Sequence, residues 1–290
     1  MEENQMKPAL THEEQLNLLK NRNLIIKNEY FALEILKRVN YYRLRGYTLS
    51  LEKNDRFFDG ITFEHVYTLY QFDQKLRNIL LPMLENIEIA FRTEIAYVLA
   101  HKYGPLGYKN KEYFKSELHH ANFLLEVKKE TSRGKELFVQ HYQQKYDGQF
   151  PIWAVVELIT FGALSMLFKN MKKDDQKKIA GETYGTTPFY IESWLRTLAY
   201  VRNVCAHYGR LYGKRLVLSP KLFDDDKKRG IQEKSPFAAI YIMSRLCLDK
   251  SVWDFFISNL YALVSQYEDQ IKLHLIGFPE NWYELLNEKR

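Results

Sequence analysis

The longest run of helical periodicity extends from Thr62 to His101, and it constrains the fold more than any other feature of the chain. Asp59-Gly60 is a turn signal just ahead of it, Thr62 is placed as its N-cap, and Pro82 is expected to bend it. Gly104-Pro105-Leu106-Gly107 closes it. A chain that commits so much of its length to one helix must bury that helix against others, which predicts an all-α fold.

The flanking segments agree. Thr11-His12-Glu13-Glu14 reads as a capping box opening a helix to about Arg22, and a second helix is expected from about Asn28 to Val39. Residues 41–47 form an aromatic and basic connection, and residues 109–146 are charged and helical by periodicity. Pro151 suits the first turn of a helix carrying Trp153, Glu157, Phe161 and Leu164. Thr187-Pro188 opens another that runs to about Tyr208, where Gly209 and Gly213 punctuate its end. The charged run 169–178 is expected to be a solvated face, 216–218 a short extended piece, and 223–235 a charged loop. From Pro236 helix resumes to about Tyr267, followed by an irregular aromatic tail. With no internal repeat, 1–290 is expected to be a single all-helical domain.

Composition limits the function classes. The formal net charge of +6 is a mild basic excess that permits an anionic partner such as RNA without demanding one. Cys205 and Cys247 form no CxxC pair and are expected to be reduced thiols of a cytoplasmic protein. The opening residues Met1 to Met6 lack the basic-then-apolar pattern of a signal peptide, and charges such as Glu85, Glu88 and Arg92 interrupt every apolar run, so no membrane span is expected. His119-His120 and the Cys205/His207 pair lack zinc spacing, and there is no glycine-rich phosphate loop or nucleophile elbow. No metal or cofactor is expected.

The segment that carries chemistry is Arg202-Asn203-Val204-Cys205-Ala206-His207, an R-x-x-x-x-H spacing. Alone it is a weak signal, because chance supplies roughly 0.4 such pairs in a chain of this composition. Helical geometry says more. Ile191, Trp194, Leu195, Leu198, Val201 and Cys205 form one apolar stripe, and Arg202 falls inside it, while Arg196, Asn203 and His207 share the opposite, polar face. An arginine buried unpaired in such a stripe would cost roughly 3–5 kcal/mol. Arg202 must therefore meet a carboxylate, with Glu88 and Glu157 the candidates, or face an open, hydrated cleft.

Arg202 and His207 point about 140° apart on a straight helix. They reach one site only if the helix ends before His207 or if two copies of the segment face each other. Both remain open. Chemically the set suits metal-independent RNA cleavage. An imidazole can take a 2′-hydroxyl proton, a guanidinium can stabilise charge growing on the phosphate, and Asn203 can orient either. Arg196, Arg210 and Arg215 are placed to hold flanking phosphates, and Tyr208 and Tyr212 to stack on bases. The Glu88–Arg92 pair, four apart, either braces its helix or supports the site from behind. The 41–47 connection, with Arg43 and Arg45 among its rings, is read as a packing corner in preference to an RNA-contacting edge.

Several segments together resemble the Abi-like family of abortive-infection proteins, its AbiD and AbiF group, within the HEPN superfamily of RNA-acting helical domains. They are the opening segment from Pro8 to Leu19, Asn40 to Tyr47, Phe58 to Phe63, Leu69 to Arg77, Ile87 to Thr93, Trp153 with Glu157 and Phe161-Gly162, and Arg202-Asn203-x-Cys205-Ala206-His207 with Arg210. The resemblance spans about Lys7 to Arg215. It implies a HEPN-like helical bundle with additional N- and C-terminal helices, a part in defence against phage or in toxin-like growth arrest, and endoribonuclease chemistry at Arg202, Asn203 and His207. It implies a homodimer that pairs two motifs, and RNA as substrate. The family's similarity to ancestors of RNA-guided CRISPR nucleases makes a structured non-coding RNA a further expected partner or antidote. The other reading from the same residues is a protein that holds a cognate structured RNA without cutting it.

Overall fold

A computed structural model describes residue 6 and residues 8–288. Fourteen α-helices and one minimal β-hairpin are present among them: α1 (His12–Asn21), α2 (Glu29–Arg38), α3 (Tyr41–Arg45), β1 (Glu52–Lys53), β2 (Arg56–Phe57), α4 (Phe63–Tyr103), α5 (Glu117–Arg133), α6 (Leu137–Lys145), α7 (Ile152–Leu158), α8 (Phe161–Asn170), α9 (Lys173–Lys177), α10 (Pro188–Ala206), α11 (Asp224–Lys228), α12 (Pro236–Leu246), α13 (Lys250–Tyr267) and α14 (Trp282–Asn287). The fold is all-α, as expected. The leader reading of the N-terminus lies, but for Met6, outside the described residues. No helix among the described residues is long and apolar enough to cross a membrane.

Helix α4 organises the rest. Its 41 residues follow the N-cap Thr62, whose hydroxyl accepts from the His65 N–H, continue through Pro82, and end before the C-cap Gly104, where φ is 79°. Helices α7, α10 and α13 pack along it, α10 also leans on α8, and α5 packs on α8. The buried side chains form one contiguous cluster from Leu16 to Leu286. The Thr11 capping box closes as expected, the Glu14 carboxylate accepting from the Thr11 N–H at 2.7 Å.

Five expectations need correction. The helix expected to carry Trp153, Glu157, Phe161 and Leu164 breaks at Ile159-Thr160, where the Thr160 hydroxyl caps α8 by accepting from the Ala163 N–H. The helix predicted across 236–267 breaks at Cys247-Leu248-Asp249, because the Asp249 carboxylate caps α13 by accepting from the Ser251 and Val252 N–H groups. Residues 223–235 are not all loop. They hold α11, whose Asp226 is buried and accepts from the Tyr241 hydroxyl and Arg245. Residues 216–218 form no strand; Leu216 donates its N–H to the Lys234 carbonyl instead. The charged run 169–178 is not wholly solvated, since Asp175 and Gln176 are buried and Asp175 accepts from the Tyr103 hydroxyl. The hairpin of β1 and β2 was not foreseen. It turns on Asn54 and Asp55, both at positive φ, two residue types that tolerate the left-handed region.

Candidate functional site

The apolar stripe of α10 is buried as predicted, from Ile191 through Cys205. Its helix then ends in a tight cap. His207 is the last half-helical residue (φ −94°, ψ 19°) and Tyr208 turns left-handed at φ 58°. The Gly209 N–H returns to the Val204 carbonyl at 2.7 Å, and the Tyr208 N–H to that of Cys205 at 3.1 Å, a Schellman closure. A Cβ on Gly209 would sit 2.9 Å from the Val204 side chain and 3.0 Å from its carbonyl oxygen, so the chain can double back there only without a side chain. The left-handed position, usually taken by glycine, falls instead to a tyrosine, at a cost of about 1–2 kcal/mol. Its ring is 69% exposed.

A buried network holds this turn in place. Asp73 of α4 accepts from the Leu211 N–H at 3.0 Å and the Tyr212 N–H at 2.8 Å, from the Tyr47 hydroxyl at 2.7 Å, and from Arg77. Arg77 also donates to the Gly209 carbonyl at 3.2 Å, and Arg43 of α3 to the Tyr208 carbonyl at 2.5 Å. Burial pushes the Asp73 carboxyl above the usual carboxylate range, against the Tyr47, Arg77 and N–H groups that favour its charge. Burial also raises the Tyr47 hydroxyl. The 41–47 connection is thus a packing corner, with Leu44 and Tyr47 buried.

On the other side of α10 lies an open cleft of about 520 Å³ between α4, α7 and α10, lined by Glu85, Glu88, Arg92, Glu157, Arg202 and Ala206 among others. Arg92 pairs with Glu88 and donates to the Ile159 carbonyl at 2.8 Å, while its buried Nη1 has no hydrogen-bond partner among the described residues. The second oxygen of Glu88 lies 3.9 Å from Nε of Arg202, whose side chain is 41% exposed. Nη1 of Arg202 also meets the Asn203 amide oxygen at 3.3 Å. Arg202 is therefore not buried in the stripe. It stands at the stripe's edge and meets both a carboxylate, Glu88, and a cleft open to solvent, so the cost of burying it unpaired does not arise. Glu157 is exposed on the cleft wall and forms no ion pair with Arg202 among the described residues.

His207, Asn203 and Arg196 are exposed, and His207 is not among the residues lining the cleft. The helix does end before His207, but that end does not bring the imidazole into the Arg202 cleft.

Two outer residues depart from expectation. Tyr212 cannot stack on a base: it is 2% exposed, its ring meets Phe72 edge-on, and its hydroxyl accepts from the Lys272 N–H at 2.9 Å. Arg210 is half-buried, donates to the Tyr212 carbonyl at 2.8 Å and packs at Gly46, which makes it part of the turn. Arg215 is exposed and lines a separate cleft of about 490 Å³ with Lys214, Lys234 and His274. Cys205 and Cys247 are both free, and burial pushes the Cys205 thiol up to about 12, so it supplies no thiolate beside the motif. No His, Cys, Asp and Glu cluster among the described residues could hold a metal ion.

Asp73 and Arg77 were not singled out from the sequence, and Arg43 only as a member of the 41–47 connection. A signal existed: like Glu88 and Arg92, Asp73 and Arg77 stand four apart on the buried face of the same helix, where charge needs a reason.

Comparison with known proteins gives a family-model match, described as Abi-like protein, over residues 34–213. The matched region begins after the Pro8–Leu19 segment and ends before Arg215; it contains the Asp73 network, the cleft and the whole R-x-x-x-x-H segment. No curated protein and no solved structure matches the chain.

Proposed function

On the premise that this chain belongs to the Abi-like protein family, and so is an abortive-infection protein, we propose that it is a HEPN-type, metal-independent endoribonuclease toxin acting on RNA. Arg202, Asn203 and His207 are its catalytic residues. One observation carries the reading: Arg202 lies 3.9 Å from the Glu88 carboxylate yet stays open to solvent, and His207, five residues on, is exposed at a turn fixed from both sides. A helix end clamped by Arg43, Asp73 and Arg77 offers its side chains at fixed positions without occupying them, which is the preorganisation catalysis needs.

The step uses the RNA's own 2′-hydroxyl. His207 takes its proton, the oxygen attacks the adjacent phosphorus, and Arg202 stabilises the charge that grows on the non-bridging oxygens. The 5′-oxygen leaves with a proton, giving a 2′,3′-cyclic phosphate and a 5′-hydroxyl. The three carboxylates on the cleft wall outnumber its two arginines. A phosphate therefore approaches at the Arg202 rim, not the cleft floor.

Because His207 lies outside the Arg202 cleft of its own chain, the working site is composite. Two copies pair so that Arg202 of one and His207 of the other meet at one phosphodiester, and water supplies the proton to the leaving oxygen. Cleavage of single-stranded or transfer RNA in EDTA, leaving cyclic phosphate ends, tests the chemistry. His207→Ala and Arg202→Ala should each lose activity by about 10²–10⁴-fold. Mixing the two inactive variants should restore part of it, because a mixed dimer carries one intact pair. Undiminished cleavage by His207→Ala removes the site from the reaction. A defined RNA that copurifies uncut, with no cleavage of any substrate, replaces the nuclease with an RNA-holding protein.

A further inference from the structure

A third cleft, of about 520 Å³, opens at the N-terminal end of α7, lined by Trp153, Tyr142, Lys145, Tyr146, Gln149 and Pro105 among others. Its aromatic groups are exposed where burial would be the default for rings. Trp153 is 50% exposed and Tyr146 45%. Trp194 and Trp253 each donate the indole N–H to a backbone carbonyl, whereas Trp153 has neither an acceptor nor a ring partner among the described residues. Tyr146, by contrast, is fixed. His141 and Tyr142 pack on it at 5.6 and 5.3 Å between centroids, and the Lys145 ammonium lies 5.5 Å from its centroid. Asp147 and Gly148, at φ 50° and 70°, turn the chain so that Gln149 joins the same cleft with its side-chain amide unbonded among the described residues. An open indole, a fixed phenol ring, a free amide and an ammonium are the groups that hold a flat heteroaromatic ring bearing hydrogen-bonding edges and a nearby phosphate.

The location matters as much as the chemistry. Trp153 and Glu157 stand four apart on the exposed face of α7, one turn and about 6 Å along its axis. Glu157 lines the Arg202 cleft and Trp153 lines this one, so the two clefts share α7 as a common wall. One nucleotide of an extended strand covers a comparable distance.

We infer that the Trp153 cleft is a nucleobase pocket, which stacks an unpaired base of single-stranded RNA beside the scissile phosphate. The inference rests on the proposed action on RNA. It makes Trp153 a determinant of which RNA is cut, favouring loops and single strands over duplex, because a paired base must first give up its pairing and stacking to enter.

The test uses the full-length His207→Ala protein, which leaves RNA intact, with a labelled single-stranded oligoadenylate, the same backbone without bases, and adenosine monophosphate as probes. Trp153→Ala should weaken oligoadenylate binding about ten-fold and abolish the fluorescence quenching caused by adenosine monophosphate, while Trp153→Phe keeps most of the affinity. The abasic strand should bind about as weakly to the parent as oligoadenylate does to Trp153→Ala. Equal oligoadenylate affinity with and without Trp153 overturns the pocket. So does light scattering that shows Trp153→Ala converting a dimer to a monomer, which assigns the rings to a second copy. Cleavage by the otherwise wild-type chain is read separately. Trp153-dependent binding without any cleavage defeats the nuclease and leaves the pocket. Cleavage whose KM does not change in Trp153→Ala defeats the pocket and leaves the nuclease.

Discussion

Helix α4 carries two acid–base pairs of the same spacing, Asp73–Arg77 and Glu88–Arg92, and the helix spends them differently. Asp73 is fully enclosed, and both its oxygens are committed to Tyr47, Arg77 and two backbone N–H groups of the turn after α10. Glu88 borders an open cleft. One of its oxygens holds Arg92; the other reaches toward a half-exposed Arg202, and Nη1 of Arg92 is left without a partner among the described residues. The first pair fixes where the motif's end lies. The second leaves the Arg202 guanidinium facing a space that a ligand can enter. Buried ion pairs are poor evidence of function by themselves; the one that is incompletely used, in a cleft, is the informative one.

The largest effect expected from this contrast is on the closed pair. Asp73→Ala leaves Arg77 and two N–H groups buried without their acceptor and should cost about 3–5 kcal/mol, read as a large fall in Tm or loss of the folded protein. Glu88→Ala should cost less, about 1–3 kcal/mol, because Arg92 keeps the Ile159 carbonyl and water can reach it from the cleft. If chemical denaturation ranks Glu88→Ala as the more damaging change, the two pairs do not differ as described.

How much of this was readable beforehand follows from the range of each interaction. The α10 stripe, the Thr11 capping box and the ends of α4 are local patterns, set by periodicity and caps within a few residues, and they appear where expected. The clamp joins Asp73 to residues 138 and 139 positions away, and no periodicity reports such a contact. Tyr212 shows the same limit. An aromatic just past a motif reads as a stacking platform, but its ring belongs to a core completed by Phe72 and Tyr267. The 140° separation of Arg202 and His207 was legible, and it survives in the fold as two differently placed groups. The break at Asp249 was missed because the apolar character of α12 and α13 continues across it, and only the side-chain cap marks the boundary.

A smaller effect, of opposite sign, is expected at Tyr208. The residue's left-handed backbone suits glycine, and its carbonyl, not its side chain, receives Arg43. Tyr208→Gly should therefore stabilise the protein by about 0.5–1 kcal/mol, the relief of strain less the greater freedom of glycine in the unfolded chain. A Tm that falls instead would mean that the exposed ring contributes packing. A Tm that rises together with weaker RNA binding would mean that the strain is retained for what the ring touches.

The smallest effect on stability is expected where the effect on activity is greatest. Arg202→Ala removes a side chain that is 41% exposed and whose contact with Glu88 is 3.9 Å long. The Glu88–Arg92 pair remains intact without it, so the melting free energy should stay within about 0.5 kcal/mol of the parent. Cleavage should fall by about 10²–10⁴-fold, because the guanidinium is the group on the cleft rim free to meet phosphate charge. A buried structural arginine would behave in the reverse way, unfolding the chain when removed. Thermal melts and cleavage rates of this one variant, set beside those of Asp73→Ala, separate an arginine that serves the fold from one that serves the reaction.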